Sequence, residues 1–330
     1  MFTRRAALSL ASLVSLASLM LATAAGAQTA ASFPTKPVQV IVPYAAGGVT
    51  DILARIVALR LADKWKQPVV VDNKPGAGTV IGTAAAARAP GDGHTLLITA
   101  FGFTANQVLV PNLPYDPKAL APLSMLADSY SYLYINSAVP ANNVPELIAY
   151  AKANPGKLTF ASSGNGSSPH IAAELFAWRT GIDMIHVPYK GNGPAINDLV
   201  GGQVNALFDT VATMSFVNSG KLKVLGIGSP KPIARSPNVV PISKSGVPAL
   251  ADFTAGGWFG MFIPASTPVD LQKKIYADVR AVLETKEVHD AILKAGLEPS
   301  IMSQADFATY LKKDLDTWGP VIRERKIRLD

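Results

Sequence analysis

From Val38 onward the apolar positions switch between two spacings, and the switching predicts a repeated strand–helix unit. Val38, Val40, Ile41 and Val42 form a β-branched run bounded by Pro37 and Pro43, as in a strand buried on both faces of a parallel sheet. From Thr50 the period becomes 3.6. Ile52, Ile56 and Leu59 form one stripe and Leu53, Val57 and Leu61 its neighbour, with Arg55, Arg60 and Lys64 mostly off both. Thr50 is placed as the N-cap.

The unit then recurs. Strands are predicted over 68–72, 95–99, 123–127, 132–136, 158–162, 184–189, 206–209, 223–228 and 258–263. Helices fall at 78–88, 144–153, from Pro169 on, and at 194–202, 212–219, 269–284, 286–295 and 304–325. Pro169 suits a first helical position with Ser168 as N-cap, and Ile171, Leu175 and Trp178 share a face. Residues 204–228 have the alternation of a βαβ unit. Two proline-rich passages, 106–122 and 230–248, are placed as crossings between two lobes.

Two strand-to-helix loops are open enough to admit a ligand. The first, Tyr44-Ala45-Ala46-Gly47-Gly48-Val49, has no bulky side chain after its tyrosine and runs into a helix N-terminus, where partial positive charge collects. Any such turn needs glycine, however, and Asp51 already complements the dipole, so this loop alone reads as a turn. The second, Ser163-Gly164-Asn165-Gly166-Ser167-Ser168, adds three serines and an asparagine that a turn does not require. It is the better anion site.

The first 27 residues are set apart as an export signal: Arg4-Arg5, an apolar stretch from Ala6 to Leu21, then Ala25-Gly26-Ala27. Cleavage after Ala27 leaves 303 of 330 residues and a net charge of +5 rather than +7; the export route stays open between the general and twin-arginine systems. About 300 residues suits two lobes. The absence of cysteine rules out disulfides, thiolate catalysis and cysteine-held metals, and no cofactor is expected. The basic residues are scattered, so a nucleic-acid surface is not expected. Gly76-Ala77-Gly78-Thr79-Val80-Ile81-Gly82 imitates a dinucleotide-binding fingerprint with one residue too many. It is read as a close-packed helix start.

Enzyme signatures fail: there is no Gly-x-Ser-x-Gly, Walker loop or His-Glu-x-x-His. Of four histidines, His94 and His289 are placed at the surface, His186 within a strand, and His170 at the helix start after the second loop. A hydrolase pairing Ser167 with His170 lacks an evident third group.

The segments PYAAGGVTDILAR, VVVDNKPGAGTVIG, PGDGHTLLIT, NLPYDP, PGKLTFASSGNGSSPHIAAELF, HVPYKGNGPAINDLVGGQVNALFD and WFGMFIPASTP, in order over nearly the whole mature chain, resemble the Bug (TctC-like) family of periplasmic receptors for tripartite tricarboxylate transport. The resemblance implies a two-lobe α/β fold of the Venus-flytrap, type II-like kind, with two inter-lobe crossings. The expected division is 28–122 with 230–330 for lobe I and 123–229 for lobe II. It also implies a small organic carboxylate held by Tyr44, Ala45, Ala46, Gly47, Gly48 and Thr50 from one lobe. Ser163, Gly164, Asn165, Gly166, Ser167, Ser168 and His170 would hold it from the other, with Tyr189, Lys190 and Asp209 on the floor. A dicarboxylate or aromatic carboxylate is favoured, because the loops lack arginine and Lys190 is their lysine. Separate membrane permease subunits are the implied partners of a monomeric, periplasmic receptor. The competing readings are the secreted serine hydrolase and a sensor subunit presenting its ligand to a membrane kinase.

Overall fold

A computed structural model describes residues 33–328; the expected signal segment lies outside them. In chain order the elements are β1 (Val38–Val42), α1 (Val49–Trp65), β2 (Val69–Asn73), α2 (Val80–Ala87), β3 (Thr95–Ala100), α3 (Gly102–Leu109) and β4 (Leu120–Tyr130). There follow β5 (Tyr132–Asn136), α4 (Val144–Ala153), β6 (Thr159–Ser162), α5 (Ser168–Thr180), β7 (Ile185–Pro188), α6 (Asn192–Val200), β8 (Ala206–Asp209), α7 (Met214–Asn218) and β9 (Leu222–Ile227). The chain ends with β10 (Gly256–Pro264), α8 (Val269–Leu283), α9 (Lys286–Lys294), β11 (Glu298–Pro299) and α10 (Gln304–Glu324).

These strands make two mixed sheets, β11-β4-β10-β3-β1-β2 and β7-β6-β8-β5-β9. Strands linked through helices are parallel, β1 with β2 and β3, and β6 with β7 and β8. The strands arriving from the other sheet, β10 and β5, pair antiparallel with their neighbours. The unit expected over 204–228 has β5 lying between its two strands.

The crossings differ from expectation. The strand expected at 123–127 is part of β4, whose partners are β10 and β11 in the first sheet, so the chain changes sheets at Ser131 rather than within 106–122. The return falls at Ala255 and Gly256, because Ile242, Leu250 and Phe253 are already buried in the second core. A closed ring of backbone hydrogen bonds joins the crossings. Ser131 N–H donates to the Ala255 carbonyl (3.0 Å), Ala255 N–H to that of Gly228 (3.0 Å), and Gly228 N–H to that of Ser131 (2.8 Å). A methyl group at Gly228 would sit 2.3 Å from the Ala255 carbonyl oxygen.

The last helix bridges both cores. Phe307 is buried with Trp258 and Phe262 beneath the first sheet, while Trp318, Val321 and Ile322 pack with the second. Between them Asp314 accepts from Thr104 Oγ1 (2.6 Å), Trp258 Nε1 (2.9 Å) and Trp318 Nε1 (2.8 Å). Among the described residues no cation is paired with it, and burial raises its carboxyl above the usual range.

Local differences have simple causes. In α1 the packed face is Leu53, Ala54, Val57, Ala58 and Leu61; Ile52 and Leu59 are exposed, because the alanines let this side approach the sheet. Thr50 is not the N-cap but a buried second helical residue. Ser167, not Ser168, caps α5, and Trp178 is exposed. His94 is buried against Phe33, its Nε2 accepting from Thr35 N–H (3.3 Å). At Gly82 a methyl group would lie 2.6 Å from the Lys74 carbonyl oxygen, so that glycine is required by close packing.

Gly228→Ala is expected to destabilise the fold by about 2 kcal/mol, since the ring of backbone bonds has no room to relax; a denaturant midpoint equal to wild type would contradict this. Asp128 gives a pH prediction. Burial pushes its carboxyl up to about 6, against hydrogen bonds from Ser300 and Tyr130. A carboxyl raised on folding favours the folded state below the unfolded value and loses that advantage as pH rises to the folded one. Stability from this group therefore falls by about 3 kcal/mol between roughly pH 4 and pH 6. Subtracting the pH profile of Asp128→Asn from that of wild type should isolate the step.

Candidate functional site

A cavity of about 940 Å³ lies between the sheets, walled by loops and strand ends of both. Of the residues anticipated from the sequence, Tyr44, Thr50, Ser163, Asn165, Gly166, Ser167, Ser168 and Asp209 line it. Ala45, Ala46, Gly47, Gly48, Gly164, His170, Tyr189 and Lys190 are not on its wall.

The first loop is occupied with its own helix. Gly47 N–H donates to Asp51 Oδ2 (2.9 Å), and the same carboxylate accepts from Arg55 (2.9 Å) and Asn73 (3.0 Å). The Arg55 bond, together with those from Gly47 and Asn73, holds the Asp51 carboxyl down at about 2. The helix terminus is thus neutralised internally. Residues 45–49 are exposed, and the loop reaches the cavity through Tyr44, Val49 and Thr50. Burial pushes the Tyr44 hydroxyl up to about 12, so it stays protonated at neutral pH and can donate.

The second loop is built by side chains folding back on backbone. Gly164 and Gly166 have φ of 128° and 70°, a region that favours glycine. Ser167 Oγ donates to the Gly164 carbonyl (2.6 Å) and accepts from His170 N–H (3.5 Å). Gly166 N–H donates to His170 Nδ1 (3.1 Å). The imidazole is therefore committed to the backbone, and its Nε2 faces Glu174 (3.7 Å) rather than the Ser167 hydroxyl. On the floor, Tyr189 donates to Asp198 (2.6 Å) and Lys190 is exposed. Asp209 accepts from Asn192 (2.7 Å) and Thr213 (2.6 Å), and burial raises its carboxyl.

To the anticipated Thr50 and Ser163 the structure adds Ser129, Ser131 and Thr210, which sequence reasoning missed. Thr50, Ser129, Ser131, Ser163 and Thr210 line the cavity, and their hydroxyls make no hydrogen bond to another described residue. The two-residue spacing of Ser129 and Ser131, on the parity of buried Leu133 and Ile135, was the available signal. Apolar wall comes from Phe101, Leu109, Val211, Phe259 and Leu297. Charged wall is confined to Asp209 and Lys294, at the end of α9. A separate groove of about 640 Å³ lies between the start of α4 and residues 238–245, without residues of the first sheet.

Two α/β layers enclosing a hydroxyl-lined cleft define a two-lobe solute-binding protein. Residues 53–327 match the model of the tripartite tricarboxylate transporter family receptor, and the chain belongs to that family. Protein BugT of Bordetella pertussis is 35% identical over 305 residues, 91% of this chain and 93% of that protein. A Rhodopseudomonas palustris protein solved with adipate is similar at 29% identity and a TM-score of 0.74, over 90% of this chain and all of that one. MatC from Rhodopseudomonas palustris, with bound malate, is similar at 28% identity and a TM-score of 0.69, over 88% of this chain and all of that one.

The two loop serines should separate in a thermal melt. Ser167→Ala removes a cap and is expected to lower stability by about 1 kcal/mol, whereas Ser163→Ala should stay within about 0.5 kcal/mol. Equal losses would contradict the division between a structural and a ligand-facing serine.

Proposed function

We propose that the chain captures a dicarboxylate in the cleft and delivers it, from the periplasm, to a separate membrane permease. The observation that carries this is the set of five unpaired hydroxyls, Thr50, Ser129, Ser131, Ser163 and Thr210, on a wall whose one cation is Lys294. One carboxylate is met by hydroxyls and loop backbone near Ser163–Ser168. The second reaches Lys294, and the carbon skeleton lies along Phe101, Val211 and Phe259. The relatives holding adipate and malate support two carboxylates on a short chain. Lys294 takes the part that the sequence suggested for Lys190.

The two lobes are 33–130 with 256–328, and 131–255, divided at the crossings. A ligand touching both favours their closed arrangement. The protein acts without turnover, since His170 is bonded away from Ser167. An exported, monomeric receptor cleaved after Ala27 completes the proposal, and the permease rests on the family alone.

Thermal-shift titration with matched mono- and dicarboxylates tests the ligand class. Saturation at a hundred times the dissociation constant should add about 2.7 kcal/mol. Lys294→Met should weaken dicarboxylates about tenfold, the scale of one charge-assisted contact, and leave monocarboxylates unchanged. Equal weakening of both, or no shift with any carboxylate, would sink the proposal.

A further inference from the structure

The loop at 163–168 rests on two stacked imidazoles. His170 and His186 lie face to face, their ring centroids 3.7 Å apart and their planes 12° from parallel, with Phe160 stacked beyond His186 at 4.7 Å. Each ring supports the loop at a different point. His186 Nε2 is 2.6 Å from Ser162 Oγ, which donates to the Gly164 carbonyl (3.1 Å) and accepts from Gly164 N–H (3.2 Å). His170 Nδ1 accepts from Gly166 N–H. A backbone amide always donates, so Nδ1 carries no proton here, and in the neutral ring the proton sits on Nε2, toward Glu174.

We infer that His170 is a positioning residue for ligand capture: its unprotonated Nδ1 fixes the Gly166 amide, and losing that acceptor releases the loop that presents Ser163 and Asn165 to the cavity. The inference rests on the proposed capture of a carboxylate in this cleft. Gly166 is the point where support matters, because its left-handed backbone and that of Gly164 are accessible alternatives among many for glycine. Without that acceptor the loop keeps its ties at Gly164, to Ser162 and Ser167, and loses the one at Gly166. His170 is buried and off the cavity wall, so it acts through the loop and not on the ligand.

The groups around the ring agree with this tautomer. Glu174 lies on its own helix, His186 is stacked on its face, and Arg325, beyond the end of α10, is paired with the Glu174 carboxylate. Burial works to raise the Glu174 carboxyl, yet hydrogen bonds from His170 and Arg325 hold it below its ordinary value, so an anion faces Nε2. A proton added to the ring must go to Nδ1, which turns the acceptor into a second donor pointed at Gly166 N–H.

The test compares two substitutions with adipate as the probe. Glutamine supplies a carbonyl oxygen that can accept in place of Nδ1, whereas leucine fills the space and accepts nothing. His170→Leu should raise the adipate dissociation constant about tenfold or more, and His170→Gln should stay within about threefold of wild type. Hydrogen exchange of the Gly166 amide, measured without ligand, should be fast in His170→Leu and slow in the other two. If His170→Leu binds and exchanges like wild type, or if His170→Gln loses as much affinity as His170→Leu, the positioning role is wrong. If wild type binds no carboxylate while exchange follows the predicted order, the ligand reading fails and the role in fixing the loop stands.

Discussion

The ring of three backbone hydrogen bonds among Ser131, Gly228 and Ala255 constrains everything else in the molecule. It fixes where the chain may leave one sheet and enter the other, and so where strand ends face across the cleft. Because the bonds are main-chain, they ask of the sequence chiefly small residues: glycine at 228, alanine at 255, and Gly256, where a methyl group would lie 2.2 Å from the Ser129 carbonyl oxygen. Ser129 and Ser131 lie at that junction and line the cavity. Crossing and binding surface are thus one stretch of chain. The last helix adds a second tie, with Asp314 holding indole and hydroxyl donors between the two cores.

Within the cleft, groups that look free in the sequence divide into those spent on holding loops and those left for a ligand. Gly47 and Gly166 have amides in the right places, but Asp51 and His170 accept from them. Ser167 is consumed by capping. The unspent groups are hydroxyls on stiffer backbone, at the strand ends and the first helical turn. A weakly charged site suits a receptor that must also release its ligand: hydroxyls hold a carboxylate through single hydrogen bonds from uncharged donors, without the second charge and paired geometry of a bidentate arginine.

Much of the fold was legible because apolar period is a local property. The β-branched run at 38–42 and the helix at Val144–Ala153 needed only their own residues to be found. The crossing was not legible, since a proline-rich connection resembles a boundary whether or not the next strand stays in the sheet, and only the pairing of β4 with β10 decides it. The two apolar stripes of α1 are equivalent in sequence; the choice between them depends on which side the sheet covers. For the cavity, loop composition pointed to Ser163–Ser168, whereas Lys294 came from a distant helix end that no local pattern connects to it. His94 was placed outside because nothing local shows the Phe33 ring that covers it.

A crystal structure with the most tightly bound dicarboxylate is the most direct measurement. Capture in the cleft predicts ligand density between Ser129 or Ser131 and the loop at 163–168, with one carboxylate within hydrogen-bond distance of a serine hydroxyl and the other directed to Lys294. Density in the outer groove between α4 and residues 238–245, with the cleft holding solvent, would contradict it.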